Sequence, residues 1–187
     1  NISYMKSKRK QNRSIDYQIL SAINVRGHGT LFVPTDFLNL GSRQAVDIAL
    51  HRLVRKRTIR RLARGIYDFP EEHSKLGKLQ PSPEKIAGAL VGRDCTRIQP
   101  TGAYAANILG LSEQVPAKVV FLTDGPSRTV KIGAITIQLR RTTPKNMTMA
   151  GRLSGLLVQA LRELGKENVT AERLEHLKQI LPVDKRQ

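Results

Sequence analysis

Residues 42–65, SRQAVDIALHRLVRKRTIRRLARG, constrain the fold more than any other stretch of this chain. Val46, Ala49, Leu50, Leu53 and Val54 recur at i, i+3, i+4, i+7 and i+8, the pattern of a helix with one face on a core. The opposite side carries Arg43, Gln44, Asp47, His51 and Arg55, all able to donate or accept hydrogen bonds. From Arg52 to Arg64 the chain then holds Arg52, Arg55, Lys56, Arg57, Arg60, Arg61 and Arg64, with no carboxylate between them. Such a run repels itself unless an anion sits on it. Nucleic acid is the first candidate, and a merely solubilised or ribosome-like basic surface is the alternative.

Punctuation on either side extends the pattern. Ser14 is placed to cap a first helix with a buried stripe of Ile15, Ile19, Leu20 and Ile23, and Arg26-Gly27-His28-Gly29 supplies its stop. Thr30–Val33 is a short β-prone run. Pro34-Thr35-Asp36 opens a second short helix bearing Phe37, Leu38 and Leu40, Gly41 makes a tight turn, and Ser42 caps the third helix. Thr58–Leu62 and Ile66–Phe69 then form a hairpin through Ala63-Arg64-Gly65, where Gly65 supplies a positive φ. Ile59, Leu62 and Tyr67 are expected to face inward, with Arg60 and Arg64 outward. This order is that of a winged helix-turn-helix over 14–69.

Residues 70–82, rich in proline and without periodicity, read as a linker, and 1–13 as a disordered basic arm in which Met5 is the natural start. Ser82-Pro83-Glu84 is a strong helix start, with Ile86, Ala87, Leu90 and Val91 buried behind it. Further helices are expected near 102–109, near 146–164 and after Thr170. Strands are expected at Ala117–Leu122, Thr129–Ile132 and Ile135–Leu139, the last two a hairpin about Gly133-Ala134. Residues 83–187 are thus a separate C-terminal α+β domain with a small sheet and several helices, and the fold class is α+β.

Net charge is +17 over 187 residues, and its placement matters more than its size. Residues 1–69 hold 14 Lys/Arg against 4 Asp/Glu, whereas 84–187 hold 16 against 9. The N-terminal third is the most charge-dense, as expected of the part that meets phosphate. Cys95 is the only cysteine, which leaves no disulfide framework or cysteine zinc site. His28, His51, His73 and His176 are scattered, so no metal is expected. No apolar run is long enough for a membrane helix and no signal peptide is visible. The expected setting is the cytoplasm.

In a helix-turn-helix the first residues of the second helix meet base edges. Ser42, Arg43 and Gln44 occupy that place. Arginine can pair with guanine and glutamine with adenine, each worth about 1–3 kcal/mol of discrimination. Asp47 can accept from a cytosine amino group or instead orient Arg43, and His51 lies on the same face. Arg55, Lys56 and Arg57 suit the helix macrodipole. Arg60, Arg61 and Arg64 are placed to hold phosphate or the minor groove. Neutralising about 6–8 phosphates predicts a log–log salt slope of about −5 to −7.

Further along, Asp124, Ser127 and Arg128 belong to a turn, TDGPSR, that reads either as a phosphate cradle or as a plain β-turn. Arg140, Arg141 and Lys145 form a second basic cluster, a possible surface for a partner. No catalytic residues and no cofactor are expected. Asp94, Glu113 and Asp124 share no motif, the serines have no histidine or nucleophile elbow near them, and no Walker-type loop exists.

The segments LNLGSRQAVDIALHRLVRKRTIRRLARGIYDFP, SPEKIAGAL and QPTGAYAANILGLSEQVPAKVVFLTDGPSRTVKIGAITIQLRRTTPKN resemble the AbiEi-type antitoxins of bacterial type IV toxin–antitoxin systems, over about Ile15 to Leu164. The resemblance implies a winged helix that binds inverted repeats in its own promoter, in two copies on the duplex, and represses the operon. It also implies a C-terminal domain that counters a nucleotidyltransferase-like toxin. A stand-alone regulator with a ligand-sensing or oligomerising C-terminal domain, and a nucleic-acid-processing enzyme, are the competing readings.

Overall fold

Caps and apolar spacing shape the first part of the chain. The computed structural model describes residues 14–91 and 97–181. The basic arm expected over 1–13, with Met5, and the lone Cys95 lie outside the described residues. The chain is a mixed α+β protein that divides into two units, residues 1–90 and 91–187. No helix among the described residues is long and apolar enough to cross a membrane.

In the first unit, α1 (Ile15–Arg26) starts where Tyr17 N–H donates to the Ser14 hydroxyl, and it ends at Gly27. Strand β1 (Thr30–Phe32) leads into a single 3₁₀ turn, Pro34–Phe37, and then α2 (Arg43–Arg55). Strands β2 (Arg60–Ala63) and β3 (Ile66–Phe69) follow, and the antiparallel sheet runs β1-β3-β2. Its core is Ile19, Ile23, Phe32, Phe37, Val46, Ala49, Leu50, Leu53, Ile59 and Tyr67. Phe32 meets Phe37 edge-on at 5.5 Å. Fully burying aromatic and aliphatic side chains of this size contributes about 1.5–3 kcal/mol each.

Two expectations change here. Leu20 is not in the buried stripe but beside Tyr17, Ser21, Asn24 and Val25 on the outer face of α1. Apolar and polar residues are spread around that helix with little segregation, so periodicity alone could not orient it. Gly41 lies in the bend before α2, where a Cβ would stand 2.7 Å from Ile15 Cδ1, the end of a side chain that can shift. Residues 70–82 are not irregular throughout, because β4 (Glu72–His73) and β5 (Gly77–Lys78) pair antiparallel. The His73 ring nitrogen caps their turn, accepting from Lys75 and Leu76 N–H. Helix α3 (Pro83–Val91) begins as expected, and the division between units falls at its end rather than before it.

In the second unit, β6 (Ile98–Thr101), β7 (Lys118–Thr123), β9 (Ile135–Arg141) and β8 (Arg128–Ile132) form a four-stranded sheet in that spatial order. Strands β8 and β9 are the expected hairpin, but β7 pairs with β9 in parallel. Strand β6 was not expected, since Pro100 interrupts any strand pattern there. It lies at the sheet edge, where proline is tolerated. Helices α4 (Ala103–Ile108), α5 (Leu153–Leu164) and α6 (Ala171–Ile180) share a small core of Ala105, Ala106, Leu109, Leu111, Ala160 and Leu177. Helix α5 begins at Leu153, not near 146, because Pro144–Met147 forms a separate 3₁₀ turn. A buried hydrogen bond from the Thr101 hydroxyl to Gln159 Oε1, at 2.6 Å, joins α5 to β6.

Candidate nucleic-acid interface

Helix α2 turns one apolar face to the core and leaves the other bare. Ser42 caps it by accepting from Ala45 N–H at 3.3 Å, a contact worth about 1 kcal/mol. Arg43, Gln44, Asp47, His51 and Arg55 are all exposed, on the face the periodicity assigned to them. Arg43 Nε donates to both Asp47 oxygens, at 3.2 and 3.0 Å. That exposed pair, one turn apart on α2, orients the Arg43 side chain. Arg52 reaches Asp16 on α1 at 3.3 Å and ties the two helices together.

The helix ends in an unusual way. Thr58 N–H donates to the Leu53 carbonyl at 3.1 Å and Arg57 N–H to the Val54 carbonyl at 2.9 Å. That pair of bonds is a Schellman motif, whose pivot residue adopts the left-handed conformation and is usually glycine. Here it is Arg57, at φ 58°, the one non-glycine with positive φ among the described residues. Left-handed geometry is unfavourable for a residue with a Cβ by roughly 1–2 kcal/mol.

The hairpin corrects one expectation. Arg60 does not project outward. Its Nε and Nη2 bind the two Asp68 oxygens at 3.1 and 2.6 Å, and Nη2 also donates to the Leu79 carbonyl at 2.8 Å. Asp68 is only 2% exposed. Its hydrogen bond to Arg60, with the carboxylate charge beside it, raises the arginine's pKa further against the opposing effect of burial. Arg60 is thus committed to the fold. Arg61 and Arg64 remain exposed, with Arg61 Nε only grazing the Ala63 carbonyl at 3.4 Å, and Gly65 closes the turn at φ 75°.

The basic stretch accordingly sorts by partner. Arg43, Arg52 and Arg60 hold carboxylates. Arg55, Lys56, Arg57, Arg61 and Arg64 form no ion pair among the described residues and lie on or beyond the C-terminal end of α2. Sequence reasoning missed Asp68 as the partner that removes Arg60. It also missed Arg57, whose strain has no sequence signature, and Ile48, an exposed apolar residue on the polar face.

The second unit's candidate residues are placed differently. Asp124 accepts from Arg97 through backbone N–H and Nε, both at 2.9 Å, and Arg97 Nη1 also reaches the Met147 carbonyl. The Arg97 guanidinium holds the Asp124 carboxyl below the usual carboxylate range. Ser127 Oγ accepts from Arg141 N–H at 3.0 Å, and Gly125 N–H donates to the Thr123 hydroxyl. These bonds fasten residues 124–127, which lead from β7 to β8 through a bend, to Arg97 and Arg141. Arg128, Arg140, Arg141 and Lys145 are exposed. Gly110, Ser112, Glu113, Thr170, Arg173 and His176 line an open groove of about 770 Å³ beside α6. Among the described residues no group of His, Cys, Asp or Glu is placed to hold a metal ion.

A model described as Family of unknown function (DUF6088) matches residues 18–187, and the chain belongs to that family. No curated protein and no solved structure matches it.

Proposed function

We propose that this member of the DUF6088 family binds double-stranded DNA through its N-terminal unit, read as a winged helix-turn-helix, and represses its own operon as an antitoxin. One observation carries the DNA reading. The exposed face of α2 bears Arg43, Gln44 and His51, and the cations without carboxylate partners, Arg55, Lys56, Arg57, Arg61 and Arg64, follow it along the helix end and hairpin. A helix with hydrogen-bonding side chains suits a major groove, and unpaired cations suit phosphates. The order helix, strand, 3₁₀ turn, helix, hairpin, with β1 closing the hairpin into a three-stranded sheet, supports the winged-helix reading.

The antitoxin half rests on the resemblance to AbiEi-type antitoxins, which assigns the second unit to antagonism of a nucleotidyltransferase-like toxin. The competing reading, a regulator with a ligand-sensing second unit, draws support from the groove beside α6. Binding of the full chain to duplexes from its own promoter tests the DNA reading. With five unpaired cations on phosphate, the slope of log K against log salt should be about −4 to −5 per protomer. A slope near zero, or equal affinity for promoter and unrelated duplexes, overturns it. Co-expression with the nucleotidyltransferase-like product of an adjacent gene tests the antitoxin half, and full toxicity in the presence of the full chain overturns it for that partner.

A further inference from the structure

One side chain of α2 is not accounted for by its polar face. Ile48 is 45% exposed. Its exposed companions on the helix are Arg43, Gln44, Asp47, His51, Arg52 and Arg55, every one polar or charged. Ile48 lies four residues after Gln44 and three before His51, so the three are neighbours on one stripe of the helix surface. Single exposed apolar residues are common on proteins. This one occupies the middle of the surface that the groove reading turns toward base edges.

Isoleucine in a helix is held near a single χ1 rotamer, so its methyl groups are presented in a fixed direction with little further ordering on contact. Among the groups that base pairs expose in the major groove, the 5-methyl of thymine is the apolar one. We propose that Ile48 is a specificity-determining residue that packs against a thymine 5-methyl group. The inference rests on α2 being the DNA-recognition helix. One helical turn rises about 5.4 Å against about 3.4 Å per base step, which puts that thymine one or two base pairs from the pair met by Gln44.

The test is selection of binding sites by the full chain from randomised duplexes, followed by replacement of each selected thymine with deoxyuridine. The wild-type chain should lose about fourfold affinity at one such thymine, the effect of one buried methyl group. Ile48→Ser should bind the thymine and uracil duplexes equally, and Ile48→Val should keep most of the discrimination. Unchanged thermal unfolding of both variants separates contact from folding. If the wild-type chain selects a sequence but loses the same affinity to uracil as Ile48→Ser, the role of Ile48 is overturned and the DNA reading stands. If it selects no sequence at all, both fall.

Discussion

The stretch from Arg43 to Arg64 and the surface from Arg128 to Lys145 are both basic, yet they differ in what surrounds their cations. In the first, Asp16 and Asp68 each take one arginine and hold the scaffold, Asp47 holds Arg43 on the exposed face of α2, and the unpaired cations line the end of that helix. In the second, Arg140 and Arg141 end a strand whose neighbouring segment is fastened through Asp124 and Ser127, and a single 3₁₀ turn, Pro144–Met147, follows them. Charge density makes the two look alike. What separates them is the supply of groups that can read a base and the carboxylates that decide which cations stay free.

The largest break in that comparison is expected from Arg60→Ala. It leaves Asp68 buried without its partner, which should lower unfolding free energy by about 3 kcal/mol, read from urea midpoints. A stability loss near zero would return Arg60 to the surface set. Next, Arg43→Ala or Gln44→Ala should erase about 1–3 kcal/mol of preference between the selected site and its base-pair variants. Arg64→Ala should weaken all duplexes alike and reduce the salt slope by about 0.9. Equal behaviour of the Arg43 and Arg64 variants would dissolve the division between reading and holding.

Arg57→Gly sharpens the same division with a smaller, two-signed effect. Removing left-handed strain, less the flexibility that glycine restores to the unfolded chain, should raise stability by about 0.5 kcal/mol, while affinity for every duplex falls. A variant that is both less stable and equally affine refutes the role of the side chain. On the other surface, Asp124→Asn should leave duplex binding untouched. Because the folded Asp124 pKa is lowered from 3.8, its ion pair contributes fully above that value and is lost as pH falls through the lower folded one. The variant should therefore lack part of the wild type's loss of stability below about pH 4, checked by denaturation at pH 6 and pH 3.

Much of the first unit was legible because its signals are local. Ser14, Gly27 and Ser42 mark helix ends through their own backbone neighbours, and the α2 stripe follows from spacing alone. The partner of Arg60 was not legible, for a definite reason. Counting back from Ala63 opposite Ile66 places Arg61 across from Asp68, but a bulge between Arg61 and Ala63 shifts the register and brings Arg60 there instead. A bulge of this kind leaves no reliable composition mark. In the second unit the β8–β9 hairpin was visible in its turn, whereas the parallel seam of β7 with β9 joins segments that no local pattern relates.

The contact of Arg60 with Asp68 and with the Leu79 carbonyl has a consequence for the thermodynamics of association. It links β2, β3 and the segment after β5 through one guanidinium, so the hairpin is held in place without a partner. Rotamer-rich side chains and loops that must be immobilised on docking oppose binding by about 0.5–1.5 kcal/mol each. In this hairpin that ordering is completed during folding, so under the proposed DNA reading Arg61 and Arg64 would meet a duplex from an ordered support.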